Sequence, residues 1–398
     1  MLERRVFLLL GFIIFLTMTG YGIVLPTLPF VADRLNLTSF QMGTLITGWA
    51  VAQLATAPFW GRLTDTWGRK HVLLFGLFGF AVAFFLLVFA QSYWQLLFAR
   101  VIGAVLSSGT LPAVIALVSD LTDLKHRNVA IAKIGAINGL GFLCGPAVGG
   151  LFAPFGVNVP FIVAGTCAFI TLPIAMRFLF EPEAKTTLKR DQATVFKSLT
   201  MVTRKGYWQF FIVTFGVSMA ASSFFGLLGY FMIERFNASP VIVSLAFSTQ
   251  AGVSVIVQFF FLEKFYQWFE EESLAKFGLL FITIGFSFIA FSPHASIAII
   301  GCLFTGFGQA CVNPTILSIL SKRETYGQGI TIGMHQAMNS LGRIVGPLLG
   351  GAIFSILISG PFLTSAVIAL LLFFIVLLSS HKETADADLI KKEKGSYV

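Results

Sequence analysis

Apolar residues run along this chain in long blocks, and polar residues fall in short clusters between them. Each block holds about 20 residues or more, enough for a helix to cross a bilayer core about 30 Å thick. The pattern predicts twelve helices, at 6–29, 41–61, 71–91, 95–118, 129–152, 158–179, 207–231, 240–262, 274–292, 296–320, 329–357 and 361–380. Most connections are short. The exception, 181–206, begins EPEAKTTLKRDQATVFKSLT and separates a six-helix bundle at 1–180 from a second at 207–380. A polar segment, 381–398, is expected to form a disordered tail. The fold class is therefore an all-α membrane protein.

The two halves share a plan. AINGLGFLCGPAVGG from Ala136 returns as AMNSLGRIVGPLLGG from Ala337. A shift of 201 places Asn138 on Asn339, Gly141 on Gly342, Gly145 on Gly346, Pro146 on Pro347, and Gly149 and Gly150 on Gly350 and Gly351. Farther upstream Pro112 falls on Pro314 at a shift of 202. Glycines four apart let a neighbouring helix approach closely, and the proline adds a kink that a bundle can tolerate. A tight crossing accounts for one copy. Two copies in matching places are the mark of a duplicated transporter fold.

Composition agrees. Of 398 residues 56% are hydrophobic and 11% charged, where a soluble chain carries about 25% charge. The formal net charge of +9 then reports topology, with no nucleic-acid partner implied. With both termini in the cytoplasm the outer loops hold only Arg34 and Arg235 as cations. The expected setting is a multi-pass protein of the cytoplasmic (inner) membrane, monomeric, with lipid and a small-molecule substrate as its partners. Trp94 suits an interfacial anchor. Cys144, Cys167, Cys302 and Cys311 sit in apolar runs with neither disulfide nor metal-ligand spacing, and no metal is expected.

The first cytoplasmic loop reads GRLTDTWGRK from Gly61 to Lys70. It resembles the loop 2–3 motif of the major facilitator superfamily. The Gly-x-x-x-Gly-Pro-x-x-Gly-Gly of the fifth helix resembles the antiporter motif of that superfamily's drug:proton antiporters, and LLFARVIG, with Arg100 and Gly103, is similar to their helix 4 motif. The resemblance covers the whole chain. It implies two pseudo-symmetric six-helix bundles around a cavity open alternately to either side. By that likeness Gly61, Asp65, Gly68 and Arg69 belong to a cytoplasmic latch, with Asp120 and Arg127 as partners. The equivalent loop of the second half, LEKFYQWFEEES from Leu262, has lost its glycines, which places the main latch in the first half.

Charges within a bilayer are costly and mark function by default. All Asp and Glu fall in predicted loops, tails or helix ends. This departs from drug:proton antiporters that keep a carboxylate in the cavity. The deep cations remain. Arg100 lies about 9 Å inside the fourth helix, at about 1.5 Å per residue. It either snorkels outward or bonds carbonyls, or it serves coupling or substrate binding. Lys133, one turn into the fifth helix, is expected to snorkel. His335, Asn339 and Arg343 share one face of the eleventh helix, beside the Gly342, Gly346 and Gly350 stripe. The repeat has Ile134 and Phe142 where this helix has His335 and Arg343. His335 is either a hydrated bystander or a proton switch, given an unperturbed pKa of about 6.5. Asn138, Gln309 and Asn313 add neutral hydrogen-bonding groups, which also serve helix packing. Deep arginines without deep acids favour neutral or anionic substrates.

The expected function is secondary-active efflux of small amphipathic molecules, drugs or a metabolite such as a siderophore. Exchange for protons would drive it, with no cofactor. An importer, symporter or uniporter, on the same fold is the alternative. No Walker-type phosphate loop, His-Glu-x-x-His or intramembrane aspartate pair is present, so neither ATP coupling nor a membrane enzyme is expected.

Overall fold

The computed structural model describes the backbone of residues 4–181, 207–322 and 328–395. The expected linker, beyond Glu181, lies outside them. Every regular element among the described residues is helical. In chain order α1 is Arg4–Arg34, α2 Ser39–Thr66 and α3 Arg69–Phe89. The fourth helix, α4, comes in two pieces, Tyr93–Ser107 and Thr110–Leu121. Then follow α5 Leu124–Phe152, α6 Val159–Phe178 and α7 Trp208–Phe236. The eighth, α8, runs from Pro240–Ile256 through a π-turn, Val257–Phe261, to Leu262–Trp268. The chain ends with α9 Glu271–Ala290, α10 Ala295–Lys322, α11 Gln328–Phe354 and α12 Gly360–Gly395.

Ten of these stretches are long and apolar enough to cross a membrane by length and composition alone. The other two, α2 and α11, are 28 and 27 residues long. Their polar side chains, among them Gln53, Arg62 and Asp65 in α2 and His335, Asn339 and Arg343 in α11, dilute the apolar signal.

Three expectations need correction. The fourth helix is broken rather than continuous. Pro112 has no N–H to give the Ser108 carbonyl, and its ring crowds the preceding turn. At the break itself, Trp60 donates Nε1–H to the Val105 carbonyl at 2.6 Å. The eighth helix extends to Trp268, past its expected end. The polar tail continues α12 as helix to Gly395. ETADADLIKKEK is rich in Ala, Glu, Lys and Leu, which are good helix formers, and holds no Gly or Pro before Gly395.

Helix ends repeat as well as helix interiors. A left-handed asparagine follows α1 and α7: Asn36 (φ 51°) and Asn237 (φ 49°), 201 positions apart. In each case the next residue donates back to the helix, Leu37 N–H to the Ala32 carbonyl at 3.0 Å and Ala238 N–H to that of Met232 at 3.1 Å. Asparagine tolerates this conformation better than most side chains.

The chain forms two compact units, Met1–Arg190 with Ser223–Ala251 and Pro347–Ile358, and Asp191–Ser222 with Gly252–Gly346 and Ser359–Val398. In the first, α1 packs on α5 and α3 on α4 and α6. In the second, α9 packs on α10 and α12.

Candidate functional site

The duplicated glycines sit at helix crossings. A Cβ at Gly141 would lie 2.6 Å from the Phe15 carbonyl oxygen, and one at Gly342 would lie 2.6 Å from that of Phe215. Gly145 meets Gly22 and the Thr19 carbonyl, and Gly346 meets Ser222 and the Met219 carbonyl. So α5 crosses α1 as α11 crosses α7. Residues of α1 and α7 match at a shift of 200, a repeat that sequence alone did not reveal. The carbonyl of Phe142, freed by Pro146, faces Gly22 across the crossing. In the second copy the Gly342 carbonyl, counterpart of that of Gly141, accepts from Ser222 Oγ at 3.0 Å.

The last glycine of each motif reaches a different helix. Gly149 lies against Pro26 of α1 and Gly150 against Ser244 of α8. Gly350 lies against Ser223 of α7 and Gly351 against Ser39 and Phe40 of α2. Ser39 Oγ donates to the Gly351 carbonyl at 3.1 Å, whereas Ser244 Oγ is buried without a partner among the described residues. Nearby, Gly43 abuts the Pro347 carbonyl, and Tyr230 Oη donates to the Leu37 carbonyl. These contacts, all inside the first unit, join the far ends of α1, α2 and α5 to those of α7, α8 and α11.

Arg100 does not snorkel. It is 7% exposed. Its Nε donates a long hydrogen bond of 3.5 Å to the Leu45 carbonyl, and its guanidinium carbon stands 4.6 Å from the centre of the Trp49 ring. The edge of Trp49 meets Tyr21 at 5.0 Å between centroids, and Tyr21 Oη shares a 2.8 Å hydrogen bond with Ser107 Oγ. No acidic side chain among the described residues pairs with Arg100.

The loop of the first half is built on an ion pair. Arg69 Nε lies 2.8 Å from Asp120 Oδ2, with side chains 7% and 15% exposed, and links the start of α3 to the end of α4. Gly68 takes φ +107° ahead of it. Glu181, which the sequence did not single out, accepts the N–H groups of Arg69 and Lys70 at 2.6 and 2.8 Å. It occupies the space a Cβ on Gly68 would need, 2.7 Å away. Two expected partners take no part. Among the described residues Asp65 is exposed and unpaired, and Arg127 Nε has no partner. Gly61 is open, with nothing within 4 Å of a Cβ built there.

The second half holds a pair too, although its loop has lost the glycines. Glu271, at the start of α9, accepts from Lys322 Nζ at 2.8 Å and Ser318 Oγ at 2.6 Å, at the end of α10. Adding 202 to Arg69 and Asp120 gives Glu271 and Lys322. The pair is kept with its signs exchanged. The signal lay in the sequence at the shift that aligns Pro112 with Pro314.

The stripe on α11 is mixed. His335 is 8% exposed and its Nδ1 has no partner among the described residues. Asn339 is half-buried and Arg343 exposed. Asn138, equivalent to Asn339, leaves its buried Oδ1 without a partner among the described residues. Gln309 is buried and Asn313 exposed on α10, and Lys133 is exposed. Phe142, at the repeat position of Arg343, packs edge-on to Phe225 at 5.8 Å, and Phe225 stacks on Phe247 at 6.4 Å. Phe142 and Phe225 are half-buried, an aromatic surface on α5, α7 and α8.

A family model, the Major Facilitator Superfamily, matches residues 10–327. The chain is 28% identical over 362 residues to the quinolone resistance protein NorA of Staphylococcus aureus, covering 90% of this chain and 92% of that one. It is 28% identical over 352 residues to multidrug resistance protein 1 of Bacillus subtilis, covering 88% and 90%. Among solved structures, a bacterial homologue of the human lysosomal transporter Spinster, in an inward-facing, unoccupied conformation, matches with a TM-score of 0.78 at 15% identity, covering 95% and 96% of the two chains.

Proposed function

The chain belongs to the major facilitator superfamily and is a transporter, not an enzyme, and from that premise we propose that it exports small amphipathic molecules by alternating access in exchange for protons. The observation that carries export is the match along nine-tenths of both chains to proteins named for quinolone and multidrug resistance. The cargo is a drug or a metabolite such as a siderophore. The membrane is the bacterial inner membrane with both termini in the cytoplasm, which the crowding of Lys and Arg into one set of loops supports.

Each part of the site has a place in this cycle. The crossings at Gly141 and Gly145 and at Gly342 and Gly346 hold α5 on α1 and α11 on α7. The contacts at Gly150 and Gly351 close the far end and must part when it opens. The half-buried Phe142 and Phe225 offer a greasy surface to a lipophilic cargo. His335 carries the proton. It is a buried imidazole whose Nδ1 has no partner among the described residues, at a position where the repeat has isoleucine. An imidazole can take and release a proton near neutral pH, and no carboxylate lies deep in a helix to do so.

The test is proton movement in everted vesicles with a pH-sensitive dye. Lipophilic cations, neutral drugs and anionic chelators are added in turn. Substrate-triggered proton release is expected, falling at least about tenfold in His335→Ala while substrate binding persists. Release that survives His335→Ala assigns the proton elsewhere. Protein-dependent substrate movement without proton release rules out antiport, and net uptake in whole cells rules out export.

A further inference from the structure

We propose that His71 makes the loop of the first half a sensor of cytoplasmic pH: once charged, it tightens the hold of Glu181 on the start of α3 and slows the transport cycle. The proposal rests on the antiport reading and adds a means of regulating it.

One carboxylate joins the end of α6 to the turn between α2 and α3. Glu181 takes the N–H groups of Arg69 and Lys70 at 2.6 and 2.8 Å. Such groups have no partner within their own helix, so the carboxylate acts as a strap across the two elements. His71 stands beside the strap. Its Nδ1 lies 3.7 Å from Glu181 Oε2, within reach of an ion pair and too far for a hydrogen bond. A neutral ring therefore adds little there. A charged one gives the carboxylate a cation besides its two amides, with the modest strength of an exposed pair.

The ring is held in place. Trp67 stacks on it with centroids 5.9 Å and planes 23° apart, and Phe75 meets Trp67 edge-on at 6.0 Å. An indole face accepts a cation. The neighbouring charges are otherwise engaged or apart. Asp120 of α4 takes Arg69. Lys70 on the same helix, Arg62 and Asp65 of α2 and Arg177 of α6 form no ion pair among the described residues. The His71 side chain is 54% exposed, open to protons from solvent. Imidazole is the side chain that changes charge between about pH 5 and 8. The repeat, 202 positions on, has Ser273 in its place, so the sensor belongs to the first half alone.

A pump that carries protons inward acidifies the cytoplasm. Alternating access requires the helix ends at this loop to move. A strap that tightens on acidification slows that movement and limits the inflow, through a residue separate from His335.

The test uses the full chain. In nanodiscs, hydrogen exchange of the peptide holding the Arg69 and Lys70 amides, corrected for the intrinsic effect of pH, reads the strap without transport. Wild-type protection is expected to rise about threefold from about pH 7.5 to about pH 6. His71→Gln should show no rise, and Glu181→Gln should show less protection at both values. A flat wild type, or a rise that survives His71→Gln, overturns the proposal. In proteoliposomes the pH is lowered on both sides together, so the difference across the membrane is constant. Proton binding at His335 also varies with pH, so each variant is compared with wild type at the same pH. His71→Gln should match wild type at about pH 7.5 and run about threefold faster at about pH 6. His71→Arg, charged throughout, should run slowly at both. A His71→Gln variant that slows as much as wild type overturns the regulatory role. The two readings fail separately. Substrate movement without protons sinks antiport and leaves the exchange result standing, whereas proton release with pH-independent protection sinks the sensor.

Discussion

Gly68 shows how one residue can hold a functional loop. Its φ of +107° suits glycine alone, and the carboxyl carbon of Glu181 would lie 2.7 Å from any Cβ placed there. The glutamate then receives the first N–H groups of α3, which have no partner within the helix. Gly68→Ala therefore meets two penalties, backbone strain of about 1–3 kcal/mol and displacement of Glu181. Glu181→Ala loses two charge-assisted hydrogen bonds, discounted because that side chain is 32% exposed, for a net cost of about 1 kcal/mol. The two effects share a cause and should not add: Glu181→Ala should cost much less in the Gly68→Ala background. Thermal unfolding of the four proteins in detergent measures this. Additive losses would mean that Glu181 does not need the glycine. The loop motif made Gly68 legible in the sequence. Glu181 was not, because it lies 113 positions away at the end of α6 and belongs to no local pattern.

At the level of the helices, the two ion pairs face opposite fields. A helix N-terminus is positive and its C-terminus negative. Glu271 at the start of α9 and Lys322 at the end of α10 agree with their dipoles. Arg69 at the start of α3 and Asp120 at the end of α4 oppose theirs, and the carboxylate of Glu181 offsets the conflict at one end. The opposed pair is also the buried one, so its loss should matter more. Asp120→Asn leaves Arg69, 5% exposed, without its counter-charge, a loss of about 3 kcal/mol if fully buried. Lys322→Ala removes a partner that is 68% exposed, worth less than about 1 kcal/mol. Reversing the second pair, Glu271→Arg with Lys322→Asp, keeps the attraction and turns both charges against the dipoles. Its apparent unfolding temperature should fall, with each charge contributing about 0.3–1 kcal/mol. An unchanged temperature would show that the dipoles do not decide the order of charges. The exchanged pair escaped the sequence reading because that reading looked for glycines, while what the halves share here is a place for opposite charges.

For the molecule as a whole, the long apolar runs specified the helices, since lipid leaves little choice of backbone structure. The repeat was legible in α5 and α11, where close crossing demands glycine. It was not legible between α1 and α7, whose contribution to the crossing is largely backbone and tolerates many side chains: Gly22 answers to Ser222, and Pro26 to Gly226. The same asymmetry marks the far-end closure and makes it testable. A Cβ on Gly150 meets the side chain of Ser244, at 2.5 Å to its Cβ, whereas one on Gly351 meets backbone, 2.7 Å from the Ser39 carbonyl oxygen. Either alanine variant should resist closure by about 1–3 kcal/mol, the usual cost of overpacking, enough to slow transport about tenfold. Only one should be curable by shrinking the neighbour. Ser244→Gly removes the atom that Gly150→Ala strikes, but Ser39→Gly leaves the carbonyl that Gly351→Ala strikes. A cysteine at Leu37, 6% exposed beneath this closure, reports the state of the far end through its labelling by an impermeant maleimide. Gly150→Ala should raise the labelling rate and Ser244→Gly should restore it, together with transport. Gly351→Ala should raise it with no rescue from Ser39→Gly. Rescue in both cases, or in neither, would mean that the ends part by a route other than the crossing seen here, because only this crossing sets a side chain against one glycine and a carbonyl against the other.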